Sequence, residues 1–137
     1  MIIKQIAHSA YGCTDMEKSL HFYCGVLGLR KVFELHSEGD KPWINYLKIS
    51  DGNFIELFHT DPGTPAFNRE HISYSHICLE VYDINQAVDA IQKAGYPIVS
   101  GPSQGMDLNW QAWVTDPDGN RVELMQINPE SPQMKIK

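Results

Sequence analysis

Apolar positions along the chain follow a strand rhythm and then a helix rhythm, and this order occurs twice. Residues 2–10 and 74–82 run or alternate apolar in the manner of strands. Each stretch leads into a helix-start signal. In the first, Thr14-Asp15-Met16-Glu17 has the form of a capping box, and Met16, Leu20, Tyr23 and Leu27 follow at spacings of three to four before Gly28. In the second, Asp83 precedes Ile84, Ala87, Val88, Ile91 and Ala94, with Gly95 placed to end the helix in a left-handed cap. Short strands are predicted over 30–36, 43–50 and 54–59, and again over 97–100, 109–115 and 121–127. Asp51-Gly52 and Asp118-Gly119 mark hairpin turns between the last two strands of each half. The expected architecture is α+β: two tandem βαβββ modules, residues 1–60 and 74–128, pairing into a cup-shaped mixed β-sheet with helices on the outside. Residues 61–73, with Pro62, Gly63 and Pro65, read as a linker, and 129–137 as an irregular tail.

The two halves are copies. Asp51-Gly52-Asn53-Phe54-Ile55-Glu56-Leu57 is echoed by Asp118-Gly119-Asn120-Arg121-Val122-Glu123-Leu124 at an offset of 67, which also superposes Trp43 on Trp110. Aligning 43–57 with 110–124 gives six identities in fifteen positions, where average composition predicts roughly one. At an offset of 68, His8 falls on His76 and Asp15 on Asp83. A single-residue length difference in the middle of the module reconciles the two offsets.

Composition narrows the partners. The 137 residues carry eleven Lys and Arg against seventeen Asp and Glu, a formal net charge of -6, with the basic residues scattered rather than clustered. That argues against a nucleic-acid footprint and for a small-molecule partner. No apolar run is long enough for a membrane span, and the N-terminus lacks the pattern of a secretory signal. Cys13, Cys24 and Cys78 are an odd number without a CxxC pair, which reads as reduced thiols in a cytoplasmic protein.

The duplication singles out His8, Glu56, His76 and Glu123, one His and one Glu per module. By strand alternation Glu56 shares a face with Phe54 and Phe58, while Ile55 and Leu57 face the helix; Glu123 likewise opposes Val122 and Leu124. If the sheets combine around the pseudo-twofold that duplication permits, the four side chains converge. Two imidazoles and two carboxylates suit Zn, Ni, Co, Mn or Fe better than Ca or Mg, and leave coordination positions open. Trp43, Phe54, Phe58, Trp110, Trp113 and Met125 are candidates for the apolar wall of a substrate pocket, packing being the alternative role for the tryptophans. Cys78, two residues after His76, reads as buried filler. His21, His36, His59 and His71 have no repeat partner and are assigned to surface or packing roles, His59 doubling as a possible substrate contact.

The order His8, Glu56, His76, Glu123, the stretch Phe22-Tyr23-Cys24-Gly25-Val26-Leu27-Gly28-Leu29 and the stretch Asp116-Pro117-Asp118-Gly119-Asn120-Arg121-Val122-Glu123-Leu124 resemble the vicinal oxygen chelate superfamily. That superfamily takes in glyoxalase I, methylmalonyl-CoA epimerase, extradiol dioxygenases and the fosfomycin and bleomycin resistance proteins. The resemblance implies a metal held by those four residues and proton abstraction α to a carbonyl, with an ene-diolate stabilised on a divalent transition metal. It makes Glu123 the first candidate for the base and Glu56 its pseudo-symmetric counterpart. The His, Glu, His, Glu set is nearest to the glyoxalase I branch and implies a lyase or isomerase. An epimerase of an acyl-CoA or sugar substrate on the same metal site, and a non-catalytic small-molecule binding protein of the resistance type, are the alternatives. Glutathione-dependent bacterial members carry Arg four residues after the first His and Asn four residues after the first Glu; here those positions are Gly12 and Thr60. The resemblance also implies a homodimer, with the halves pairing within one chain or across two.

Overall fold

A computed structural model describes residues 4–65 and 74–136. The chain divides into two compact units, Met1–Ala66 and Phe67–Lys137, and the architecture is α+β, as the pattern predicts. The first unit holds β1 (His8–Cys13), α1 (Met16–Leu20) continued by a π-helical turn (His21–Val26), β2 (Arg30–Ser37), β3 (Lys41–Ser50) and β4 (Asn53–His59). The second holds β5 (Ile77–Glu80), α2 (Ile84–Lys93), β6 (Ser100–Gln104), β7 (Trp110–Thr115), β8 (Arg121–Gln126) and a 3₁₀ turn (Pro132–Lys135). Each unit forms a four-stranded mixed sheet, in the orders β1-β4-β3-β2 and β5-β8-β7-β6. The first strand of each runs parallel to the last, and the other neighbours are antiparallel.

Alternation then sorts the side chains. In the first unit Tyr11, Cys13, Leu47, Ile55 and Leu57 are buried with Phe22 and Tyr23 of the helix. In the second, α2 sets Ile84, Val88 and Ile91 at i, i+4 and i+7, packs on β6, β7 and β8, and is buried along with Ala112, Val114, Val122 and Leu124. Side chains of this size contribute roughly 1.5–3 kcal/mol each when fully buried. The helix face of each sheet is therefore the core, and the opposite face is free for chemistry.

The helices begin on aspartates. Asp15, not Thr14, is the N-cap of α1, its carboxylate accepting from the Lys18 amide at 3.1 Å. Asp83 accepts from the Asn85 and Gln86 amides, and the Ile84 amide donates to Gln126 Oε1 at 2.8 Å, tying the start of α2 to the end of β8. Gly95, at φ +87°, ends α2 in the predicted left-handed conformation, with Tyr96 N–H donating to Ile91 C=O and Gly95 N–H to Gln92 C=O.

The π-helical turn explains the change of offset. In α2 the Ala94 amide closes on Ala90, and the Tyr96 amide on Ile91. The equivalent bonds in the first unit run from Leu27 to Phe22 and from Leu29 to Tyr23. Each spans one residue more. Residues up to Tyr23 thus match the second unit at 68, and residues from Leu27 onward match it at 67. The extra residue sits inside the helix as a π-bulge.

Three boundaries move. The first strand of each unit is shorter than the apolar run, starting at His8 and at Ile77. The strand expected at 97–100 forms instead at Ser100–Gln104. The tail is not wholly irregular: the buried Asn109 accepts from the Asn128 amide at 2.8 Å and donates to Gln133 at 3.1 Å, and the 3₁₀ turn follows the buried Ser131. The part of the expected linker from 66 to 73, including His71, lies outside the described residues. Among the described residues no helix is long and apolar enough to cross a membrane.

Candidate functional site

Parallel pairing of β1 with β4 sets Ala10 beside Glu56 and His8 beside Phe54, so that His8 and Glu56 lie diagonally on one face. His8 Nδ1 comes within 3.4 Å of Glu56 Oε1. The second unit repeats the arrangement. Cys78 pairs with Glu123, and His76, in the residue preceding β5, brings Nε2 to 3.1 Å from Glu123 Oε2. Ser75 Oγ lies 3.1 Å from the other ring nitrogen of His76. The predicted residues thus come together as two His-Glu pairs, one in each unit.

Both carboxylates are almost fully covered, at 6% exposure each. Among the described residues neither forms an ion pair with Lys or Arg. Covering a carboxyl group with no Lys or Arg partner is unfavourable for folding, so packing alone does not account for a glutamate at either position. Donors about 2.0–2.2 Å from a metal lie about 3.0 Å apart at right angles and about 3.4 Å apart at the tetrahedral angle. The two His-Glu separations fall in this range, and imidazole with carboxylate suits a borderline divalent ion. Each pair supplies two donors, and no group of three or more His, Cys, Asp or Glu side chains comes together among the described residues.

The neighbours of the two carboxylates differ. Tyr46 faces Glu56 across β3 and β4, and its hydroxyl is hydrogen-bonded to that carboxylate. That bond, then partial burial, then the carboxylate charge hold the phenol above its ordinary range. The ring is stacked on Phe33 at 4.2 Å and meets Phe54 edge-on at 6.4 Å. Facing Glu123 is Trp113, whose indole meets the His76 ring edge-on at 4.8 Å and carries the Arg121 guanidinium over it at 4.3 Å. Cys78 is exposed rather than buried filler. Its thiol is nonetheless half-covered, and that partial burial, then the Glu123 charge and a hydrogen bond to Glu123, push its pKa up to about 12. It is a protonated donor to the carboxylate and not a thiolate nucleophile.

Phe54 and Phe58 share the Glu56 face, and Trp113 and Met125 share that of Glu123. Trp110 does not: it alternates with Gln111, on the side of Ala112 and Val114. Trp43 has the same parity as Asn45 and Leu47, although its half-exposed ring meets Phe58 edge-on at 5.9 Å. Identity between the halves marks equivalent positions, whereas the face follows from strand register. Tyr46, whose repeat equivalence to Trp113 makes it a candidate for the apolar wall or for packing, instead sets its hydroxyl at Glu56. Arg121 is the site-face residue that sequence reasoning passed over, and its signal was a mismatch. Against the repeated glutamates, Tyr46 matches Trp113 and Phe54 matches Arg121.

The turns that deliver these strands also differ. Ser50 pairs directly with Asn53 around Asp51-Gly52. In the second unit Thr115 pairs with Arg121 around a wider turn, built on the buried carboxylate of Asp116. That carboxylate accepts from the Asp118 and Asn120 amides and from the Asn120 side chain.

A family model described as the Glyoxalase/Bleomycin resistance protein/Dioxygenase superfamily matches residues 5–124. A probable lactoylglutathione lyase of Synechocystis sp. is 34% identical over 127 residues, spanning 90% of this chain and 95% of that protein. A lactoylglutathione lyase of Haemophilus influenzae is 28% identical, over 89% of this chain and 92% of its own length. A glyoxalase family protein from Enterococcus faecalis has the same fold, with a TM-score of 0.78 at 22% identity, over 92% of this chain and all of that one.

Proposed function

Given that the chain belongs to the Glyoxalase/Bleomycin resistance protein/Dioxygenase superfamily, we propose that it is a divalent-metal-dependent lyase or isomerase of glyoxalase I type. His8, Glu56, His76 and Glu123 are the residues that would hold the ion. One observation carries the reading: two repeat-related carboxylates, each 6% exposed, have an imidazole beside them and, among the described residues, no ion pair with Lys or Arg. A bound divalent cation supplies electrostatic stabilisation of the negative charge that develops on a carbonyl oxygen when a neighbouring proton is removed.

Glu123 takes that proton. Glu56 has the Tyr46 hydroxyl and the His8 imidazole beside it, and Glu123 has the Cys78 thiol, the His76 imidazole and the Trp113 indole. The choice of Glu123 over its counterpart Glu56 rests on the family resemblance, which makes Glu123 the first candidate for the base. Ser75 on the far nitrogen of His76 sets the orientation of that ring.

The test is metal content of the purified protein, with turnover of the methylglyoxal-glutathione hemithioacetal measured before chelation, after it, and on metal add-back. Stoichiometric metal with restorable turnover is the expected result. Absence of metal that cannot be loaded refutes the reading. Full turnover by Glu123→Gln refutes the assignment of the base.

A further inference from the structure

The Glu123 face carries a cation that the reaction does not account for. Arg121 is two residues before Glu123 on β8, so both point to the same side of the sheet. Its guanidinium lies over the Trp113 indole at 4.3 Å. Glu123 and Glu80 are on this same face, yet among the described residues the guanidinium forms no ion pair. Glu123 meets His76 instead. In a chain of net charge -6, an unpaired guanidinium among carboxylates is a position kept for another anion.

The duplication supports this. The counterpart of Arg121 is Phe54, and those of Cys78, Gln111 and Thr115, all on the Glu123 face, are Ala10, Ile44 and Lys48. Lys48 is tied to Asp51 in its own turn. The charge at 121 is thus absent from the repeated scaffold, and the first unit offers Phe54 and Phe33 where the second offers Arg121 and Ser100. The indole beneath Arg121 is itself set against His76, which holds the cation over the ring beside the His-Glu pair, and a guanidinium is suited to bidentate binding of an oxyanion.

We propose that Arg121 is a substrate-recognition residue that binds a carboxylate or phosphate on the part of the substrate remote from the reacting carbons. The site then takes an α-hydroxycarbonyl compound with an anionic tail. This rests on the lyase reading above and adds a substrate class to it.

The experiment compares methylglyoxal hemithioacetals of 3-mercaptopropionate and of the uncharged 3-mercaptopropanamide, with wild type, Arg121→Gln and Arg121→Lys. For the carboxylate adduct, Arg121→Gln raises KM at least tenfold with kcat within twofold, and Arg121→Lys recovers part of the loss. For the amide adduct kcat/KM is unchanged. Competitive inhibition by inorganic phosphate against acetate decides which anion is preferred. Equal losses on both adducts, or no change on either, overturn the proposal.

If the wild type turns over neither adduct, the lyase reading is decided by metal content and the glutathione adduct as above, and binding still tests Arg121. Tryptophan fluorescence is then titrated with 3-(methylthio)propionate and 3-(methylthio)propanamide. A response to the acid alone that is lost in Arg121→Gln supports the anion subsite, and the same response to both probes overturns it.

Discussion

Each unit supplies one imidazole and one carboxylate, with donor separations of 3.4 and 3.1 Å, and two donors hold a divalent ion weakly. If all four serve one ion, loss of either histidine removes most of the binding. The perturbations are His8→Ala, His76→Ala and the double variant, each freed of metal and titrated with Zn, Ni, Co, Mn or Fe while thermal unfolding is followed by circular dichroism. At a hundred times Kd, ligand binding stabilises the wild type by about 2.7 kcal/mol, which is roughly 8–14 °C for a chain of this size. Removing one of four ligands and weakening binding about a hundredfold leaves the same metal concentration near Kd, where the gain is about 0.4 kcal/mol, or roughly 1–2 °C. Each single variant is expected to lose nearly the whole shift, and the double variant no more than either single one. Two single variants that each keep half of the shift, with losses that add in the double variant, would show two separate sites and refute the shared ion. A wild type that gains nothing from any of the five metals would refute it equally.

Tyr46→Phe keeps the ring stack on Phe33 and removes the hydroxyl bonded to Glu56. The folded phenol is held above its ordinary value of 10, so the stability difference between wild type and variant is constant below pH 10 and shrinks as pH rises beyond it, read from urea midpoints. At the other end of the scale, the Asp83 carboxyl is held below its usual range of 3.8, first by the Gln86 amide. Asp83→Ala is expected to lower the melting temperature at neutral pH by a few degrees, and the difference is lost as pH falls through the folded carboxyl range. Phe22→Ala empties a fully buried site and is expected to cost about 4 kcal/mol, measured as a lower urea midpoint with an unchanged slope.

The helices, the hairpin turns and the helix-packed faces follow from periods of 3.6 and 2, which depend on neighbours within one element. The His-Glu pairs were legible for a different reason: the sequence contains its own alignment, and His8, Glu56, His76 and Glu123 stand out as ligand-type residues repeated together. What a strand meets on the next strand was not legible. The position of Trp110 on the side of Ala112, the hydroxyl of Tyr46 at Glu56 and the thiol of Cys78 at Glu123 all depend on cross-strand register, which the local pattern leaves open. The π-helical turn was visible only as a change of offset, because Met16, Leu20, Tyr23 and Leu27 fit an unbroken α-helix equally well.

That turn works as an expansion joint. Between the capping Asp15 and Gly28 the first unit has one residue more than the second has between Asp83 and Gly95, yet the strands on either side keep corresponding registers: Ala10 beside Glu56, and Cys78 beside Glu123. An insertion that would have flipped every side chain of a strand is absorbed where a hydrogen-bonded ring can widen. The helical segments are therefore interchangeable parts of unequal length. Residues 84–93 grafted in place of 16–26 give a chain one residue shorter with the same strand registers, so the half-site of the first unit can lose its bulge without losing the partnership of His8 with Glu56.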